Sequence, residues 1–189
     1  MNSSLSLLAR VATKKIFFPA CLVSGGQTGA DRAALDFAIA QNLRHAGYCP
    51  AGRRAENGPI PARYNLAETK TTGYPERTRK NVQLGDATVI FSSRSLAALR
   101  RIQRGSGSAL TVRECERQGK PFVVLAHFPD QAADAAELKD FLHAHSPRVL
   151  NVAGHAESKT PGIHAHVLAV LASVAADLPR AADLAASPS

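Results

Sequence analysis

Short apolar runs bounded by turn residues recur along the chain, and stretches of helical periodicity fill the intervals between them. The runs are CLVS (21–24), ATVIF (87–91), PFVVLAH (121–127) and RVLNVA (148–153), with a shorter one near His45–Cys49. Continuous hydrophobicity, rather than strict alternation, marks strands buried on both faces, as in a parallel sheet. Helical periods cover Asp31–Asn42, Glu76–Leu84, Ser108–Gln118, Ala132–His145 and Gly162–Ala175. Strands interleaved with helices predict an α/β fold, a Rossmann-like three-layer α/β/α sandwich with a mainly parallel sheet. In such sheets ligands sit beyond the carboxyl ends of the strands. The segments that follow the apolar runs are therefore the places to look for chemistry.

The 189 residues fit one domain of ordinary size, expected over 19–177. Residues 1–18 read as an N-terminal extension, because the apolar patch in MNSSLSLLARVATKKIFF is short and interrupted by Arg10. Residues 178–189 are rich in Ala, Pro and Ser and read as a disordered C-terminal tail. No run approaches the ~18 apolar residues of a membrane span, so no membrane partner is expected. Cys21, Cys49 and Cys115 lie far apart without a CxxC pair, which points to reduced thiols in a cytoplasmic protein.

Charge narrows the function. The net charge is +8 and is uneven, with 15 basic and 6 acidic residues between Arg44 and Lys120. A basic middle facing one way attracts a small anionic ligand such as phosphate, nucleotide or pyranopterin; a well-solvated surface would carry the same excess. Trp is absent and aromatics make up 5% of the chain, so stacking platforms for nucleic acid are few. Basic charge alone supports only non-specific contact with nucleic acid.

Three segments carry candidate anion contacts. In SGGQTGADR, Gly25, Gly26, Gln27, Thr28 and Gly29 join the first strand to the first helix. Glycines allow close backbone approach, and the helix start offers unpaired N–H groups. The GGxxG spacing matches neither the dinucleotide fingerprint nor the Walker loop. A turn that merely packs the helix on the sheet, capped by Asp31 and Thr28, remains the alternative. A second loop, RGSGSALT, places Gly107, Ser108 and Thr111 at another helix start, after a basic stretch containing Arg94, Arg100, Arg101 and Arg104. The third segment is the Gly/Pro-rich YCPAGRRAENGPIP, followed by Glu68 and by YPERTRKN. There Arg53, Arg54, Arg77 and Arg79 are candidate anion contacts, and Glu56 and Glu68 could accept hydrogen bonds from a sugar or pterin. Cys49, in the same segment, is either a thiolate with its pKa lowered by Arg53 and Arg54 or a buried inert thiol. His143/His145 and His164/His166 are spaced i, i+2, about 200° apart on a helix, and cannot share a metal. His127 and His155 could line the site, but no ligand set for zinc or iron is evident and no metal is expected.

SGGQTGADRAALDFA, YCPAGRRAENGPIP, YNLAET, YPERTRKNV, GDATVIF, GSGSALT, GKP and LNVAGHAESKTPGI occur in an order that resembles the putative molybdenum carrier family, from about Leu22 to about Leu171. The resemblance implies a Rossmann-like subunit related to the LOG and DprA group, assembled as homo-oligomers (dimers or tetramers). It also implies a groove for molybdenum cofactor (molybdopterin) carried as cargo, with a nucleotide or free oxyanion as the alternative. Molybdoenzymes or cofactor-synthesis proteins would be its macromolecular partners. By motif, Gly25, Gly26, Thr28, Arg53, Arg54, Glu68, Thr69, Arg77, Thr78, Asn81 and Ser108 fall in the family's glycine loop and its neighbours. After NVAG the family shows Pro-Arg where this chain has His155-Ala156, and GSGSALT replaces Gly-Gly-Thr. The related LOG phosphoribohydrolases carry Pro-Gly-Gly-x-Gly-Thr-x-x-Glu. The counterpart here, RGSGSALTVRE, keeps Arg113 and Glu114 but has lost the Pro-Gly-Gly start. No general acid and base can be placed around one bond. Binding without turnover is thus the stronger expectation, with nucleotide hydrolysis or a nucleotide/ADP-ribose sensor as alternatives.

Overall fold

The computed structural model describes residues 16–179. Most of the expected extension (1–15) and tail (180–189) lies outside the described residues. In chain order the elements are β1 (Cys21–Val23), α1 (Ala30–Ala40), β2 (Arg44–Ala46), β3 (Tyr48–Cys49), β4 (Arg54–Ala55), β5 (Gly58–Pro59), β6 (Ala67–Glu68) and α2 (Tyr74–Leu84). There follow β7 (Ala87–Phe91), α3 (Leu96–Arg100), α4 (Gly107–Gln118), β8 (Phe122–Leu125), α5 (Gln131–His145), β9 (Val149–Gly154) and α6 (Ile163–Asp177).

Five strands form the central sheet in the order β2-β1-β9-β7-β8, and every pairing is parallel. All five residues of the ATVIF strand β7 are buried, as its unbroken hydrophobicity requires. One face carries α1, α5 and α6, whose Ala33, Phe37, Leu138, Leu142, Val167 and Val170 close the main core over Leu22, Val89 and Leu150. The other face carries α3 and α4, packed through Leu99, Ala109 and Val112 on Ile90 and Val124, with α2 beside α4. Phe18, which the sequence pattern left in the extension, packs in the main core against the Phe37 ring at 5.7 Å. Its N–H donates to Pro179 O at 2.8 Å.

The chain leaves β1 toward one face and β7 toward the other, with β9 threaded between them. In a sheet of this kind such a reversal, above the carboxyl ends of β9 and β7, is the usual place for a ligand. The segment between β2 and α2 is more organised than an irregular loop. β3 pairs with β6 and β4 with β5, over a small core of Leu35, Cys49, Ile60, Tyr64 and Leu66.

Candidate functional site

Each glycine of the SGGQTG turn makes room for another part of the protein. A Cβ on Gly25 would lie 1.9 Å from Arg77 Nη1, so the missing side chain is what lets this guanidinium rest on the loop. Gly26 (φ 76°) faces Leu66 and Ile60 of the small core. Gly29 (φ 73°) begins α1, and its Cβ would meet His155 O at 2.4 Å and Glu157 N at 2.6 Å. The loop after β9 thus sits directly on the start of α1, where Ala30 N–H donates to His155 O at 3.1 Å.

The polar groups of this turn are largely matched from within. Gln27 Oε1 accepts the N–H groups of Thr28 (2.9 Å) and Glu56 (3.0 Å). Asp31, buried in the first turn of α1, accepts Gln27 N–H at 3.3 Å and Arg77 Nη1 at 2.8 Å. Burial pushes its carboxyl pKa up, and Arg77 offsets only part of that. Glu56 accepts from the Thr28 hydroxyl and from Ser158 N–H (3.2 Å) and Oγ (2.5 Å). Desolvation alone would raise the Glu56 pKa; the hydrogen bonds from Ser158 and Thr28 outweigh it and hold the carboxyl below its ordinary value. Two of the protein's own carboxylates, buried Asp31 and exposed Glu56, therefore use donors at the start of α1 that the sequence pattern offered to a ligand.

The arginines divide. Arg53 is the clearest departure from an anion contact. At φ 51° it turns its guanidinium inward and donates to Ile60 O (2.9 Å), Pro61 O (2.9 Å), Tyr64 O (3.0 Å) and Leu66 O (3.1 Å). It ties the 48–68 segment together. Arg54 and Arg79 point into solvent. Arg77 is held between Asp31 and Gly25, and its Nε is buried with no hydrogen-bond partner.

Several other expected residues are buried or bonded within the protein. Asn81 pairs with the backbone of Tyr48, accepting its N–H at 2.7 Å and donating to its O at 3.0 Å. Glu68 accepts Gly52 N–H at 2.6 Å. The buried Thr69 hydroxyl lies 2.8 Å from Thr71 O, Thr78 is buried in α2, and Thr111 donates to Gly107 O at 3.0 Å. Cys49 is fully buried, and that burial pushes its thiol pKa up against the pull of Arg53, so it is the inert thiol of the two alternatives. Cys115, likewise buried, is pushed up to about 11.

The helix starts at the carboxyl end of the sheet differ in what remains open. α5 is capped by Asp130, which accepts Ala133 N–H at 3.0 Å. Glu157 closes α6, accepting from Gly162 N (2.6 Å) and His164 N (3.1 Å). α4 is capped by Ser106, yet Ser108 in its first turn is buried with its hydroxyl unpartnered. Gly107 there is open, since a Cβ on it would meet nothing within 4 Å. Arg94, Arg101 and Arg104, in the segment before α4, are exposed and form no ion pair among the described residues.

His155 sits at the switch between β9 and β7. Its ring nitrogens reach Thr160 Oγ1 (2.7 Å), Ser92 Oγ (3.3 Å) and Ser93 Oγ (3.4 Å). Burial, aided by Arg94, lowers its pKa and favours the neutral ring. Its serine partners went unnoticed in the sequence, although their place directly after an apolar run was the available signal.

The family model for the circularly permutated YpsA SLOG family matches residues 22–175. The chain belongs to this family. As a member of the SLOG family it also resembles a solved structure from Syntrophus aciditrophicus SB, that of a "putative molybdenum carrier protein". The two share 38% sequence identity and a TM-score of 0.74, over 85% of this chain and 97% of the other. No curated protein matches the chain. The α/β fold of this SLOG member agrees with that solved structure.

Proposed function

We propose that the protein binds and carries a small ligand with a phosphate or oxyanion end, molybdenum cofactor being the cargo its likeness to the Syntrophus protein favours. The observation that carries this reading is the pair of buried, unpartnered polar atoms on two adjacent helices, Ser108 Oγ on α4 and Arg77 Nε on α2. Both helices begin at the carboxyl end of the sheet, in the crevice where such sheets bind ligands. Buried polar atoms are nearly always matched, so unmatched donors near a basic segment fit an absent anion. In this assignment Ser108 and the open backbone at Gly107 meet the oxyanion, while Arg77, fixed on Gly25, and Arg94 supply positive charge. A helix start contributes about 0.3–1 kcal/mol at an exposed site, so affinity rests on these groups acting together. Cargo held this way can also leave.

Binding without turnover is favoured by the Arg113–Glu114 pair. Arg113 donates to Ile102 O at 2.6 Å, and Glu114 is engaged by Arg117 at 2.7 Å. Neither is poised as a free general acid or base.

The reading is tested by titrating the protein and its Ser108→Ala variant with phosphate, molybdate and AMP. A hydrogen bond to a charged group contributes about 1.5–3 kcal/mol, so the variant should bind the preferred anion at least tenfold more weakly. Its stability should be unchanged or raised, because the hydroxyl has no partner to lose. Equal affinity in the two proteins would exclude the α4 start from the site.

A further inference from the structure

At the far edge of the sheet, side chains that nothing above uses converge. His127 follows β8, while Asp134 and Glu137 are three residues apart on α5 and so share one face of that helix. One ligating atom from each lies within 4.8 Å of the other two. His127 Nε2 is 3.0 Å from Glu137 Oε2. Asp134 is buried. Its Oδ1 accepts His127 N–H at 3.1 Å, and its Oδ2 lies 2.6 Å from Nε2 of the buried His166 on α6.

Two features set this cluster apart from an ordinary surface ion pair. Neither carboxylate is paired with Lys or Arg among the described residues; each has an imidazole instead. A buried carboxylate is normally matched by a full positive charge or a metal, and no Lys or Arg supplies that charge here among the described residues. The second feature is orientation. The His127 backbone N–H and His166 fix Asp134 from behind, as outer hydrogen bonds fix a metal-ligating carboxylate, and an ionised carboxylate still has lone pairs to give. His127 and Glu137 are partly exposed, which leaves an entry path.

We propose that His127, Asp134 and Glu137 form a divalent-cation site, with His166 as a positioning residue for Asp134. One imidazole and two carboxylates suit zinc or manganese, and three protein ligands leave coordination open to water or an anion. The site shares no residue with the Arg77–Ser108 assignment, so either can fail alone.

The test is calorimetric titration of the full chain with Zn²⁺, Mn²⁺ and Mg²⁺, beside His127→Ala and Glu137→Gln, with melting curves with and without metal. The expected result is one Zn²⁺ per chain at micromolar affinity or tighter, Mn²⁺ weaker and Mg²⁺ weakest, with Zn²⁺ raising the melting temperature. Each variant should keep the metal-free melting temperature and lose at least tenfold in Zn²⁺ affinity. Wild-type binding weaker than micromolar, or undiminished binding in either variant, would overturn the site.

Discussion

Arg53 and Arg77 look alike in the sequence, as arginines in two polar segments near the first strand end. The fold gives them opposite work. Arg53 saturates four carbonyls of one loop, whereas Arg77 lies on a glycine with one nitrogen unmatched. Removing the Arg53 side chain would strand those carbonyls, so Arg53→Ala should cost at least ~2 kcal/mol in urea unfolding. Arg53→Lys should recover little, because an ammonium cannot span the same fork of acceptors. A variant as stable as wild type would show that the loop does not depend on this residue. Sequence could not separate the two arginines, since the difference lies in carbonyl positions set by the turns of the 48–68 segment. The inertness of Cys49 was hidden for the same reason, because Leu35, Ile60, Tyr64 and Leu66 come from separate stretches to cover it.

The main elements were legible because each carries its own period. The apolar runs at 87–91 and 148–153 became β7 and β9, and the helical periods became α1, α2, α4, α5 and α6 to within a few residues. The short run near His45–Cys49 became β2 and β3, but the five-residue α3 and the strands β4, β5 and β6 were not visible, since elements this short have no period to read. The anion cradle was half legible. Its glycines stood out, but distant residues decide what fills them: Arg77 on Gly25, Leu66 on Gly26, and the 155–157 backbone on Gly29. Gly29→Ala would combine a left-handed backbone with a contact of 2.4 Å to His155 O. It should lower stability by several kcal/mol (~3) or prevent folding. A soluble, fully stable Gly29→Ala would contradict the close seating of these loops. Glu56 clamps the 53–60 loop to Thr28 and Ser158. Because its folded pKa is lowered, the clamp stabilises above the unfolded value of about 4.3 and is lost as pH falls through the folded value. Glu56→Gln should therefore lower stability at neutral pH by less than ~1 kcal/mol, because the carboxylate is exposed and its interactions are screened by solvent, with the difference shrinking below about pH 4. An offset constant down to pH 3 would rule out an ionised clamp.

At the scale of the whole molecule, strand order matters more than any motif. Placing β9 between β1 and β7 brings the SGGQTG turn, the serines after β7 and the His155 loop to one end of the sheet, with the starts of α2 and α4 beside them. Of the basic residues between 44 and 120, Arg94, Arg101 and Arg104 before α4 are exposed and form no ion pair among the described residues, and such charge can draw in an anion before any short-range contact forms. No helix among the described residues is long and apolar enough to cross a membrane. The central claim is that this end of the sheet binds cargo and leaves it intact. Anaerobic calorimetric titration with molybdenum cofactor tests it most directly, with AMP and ADP-ribose in parallel and each mixture assayed for released base or phosphate. Tight cofactor binding that weakens at least tenfold in Ser108→Ala, with no product, is the predicted result. Nucleotide binding with base release, and no affinity for the cofactor, would contradict it.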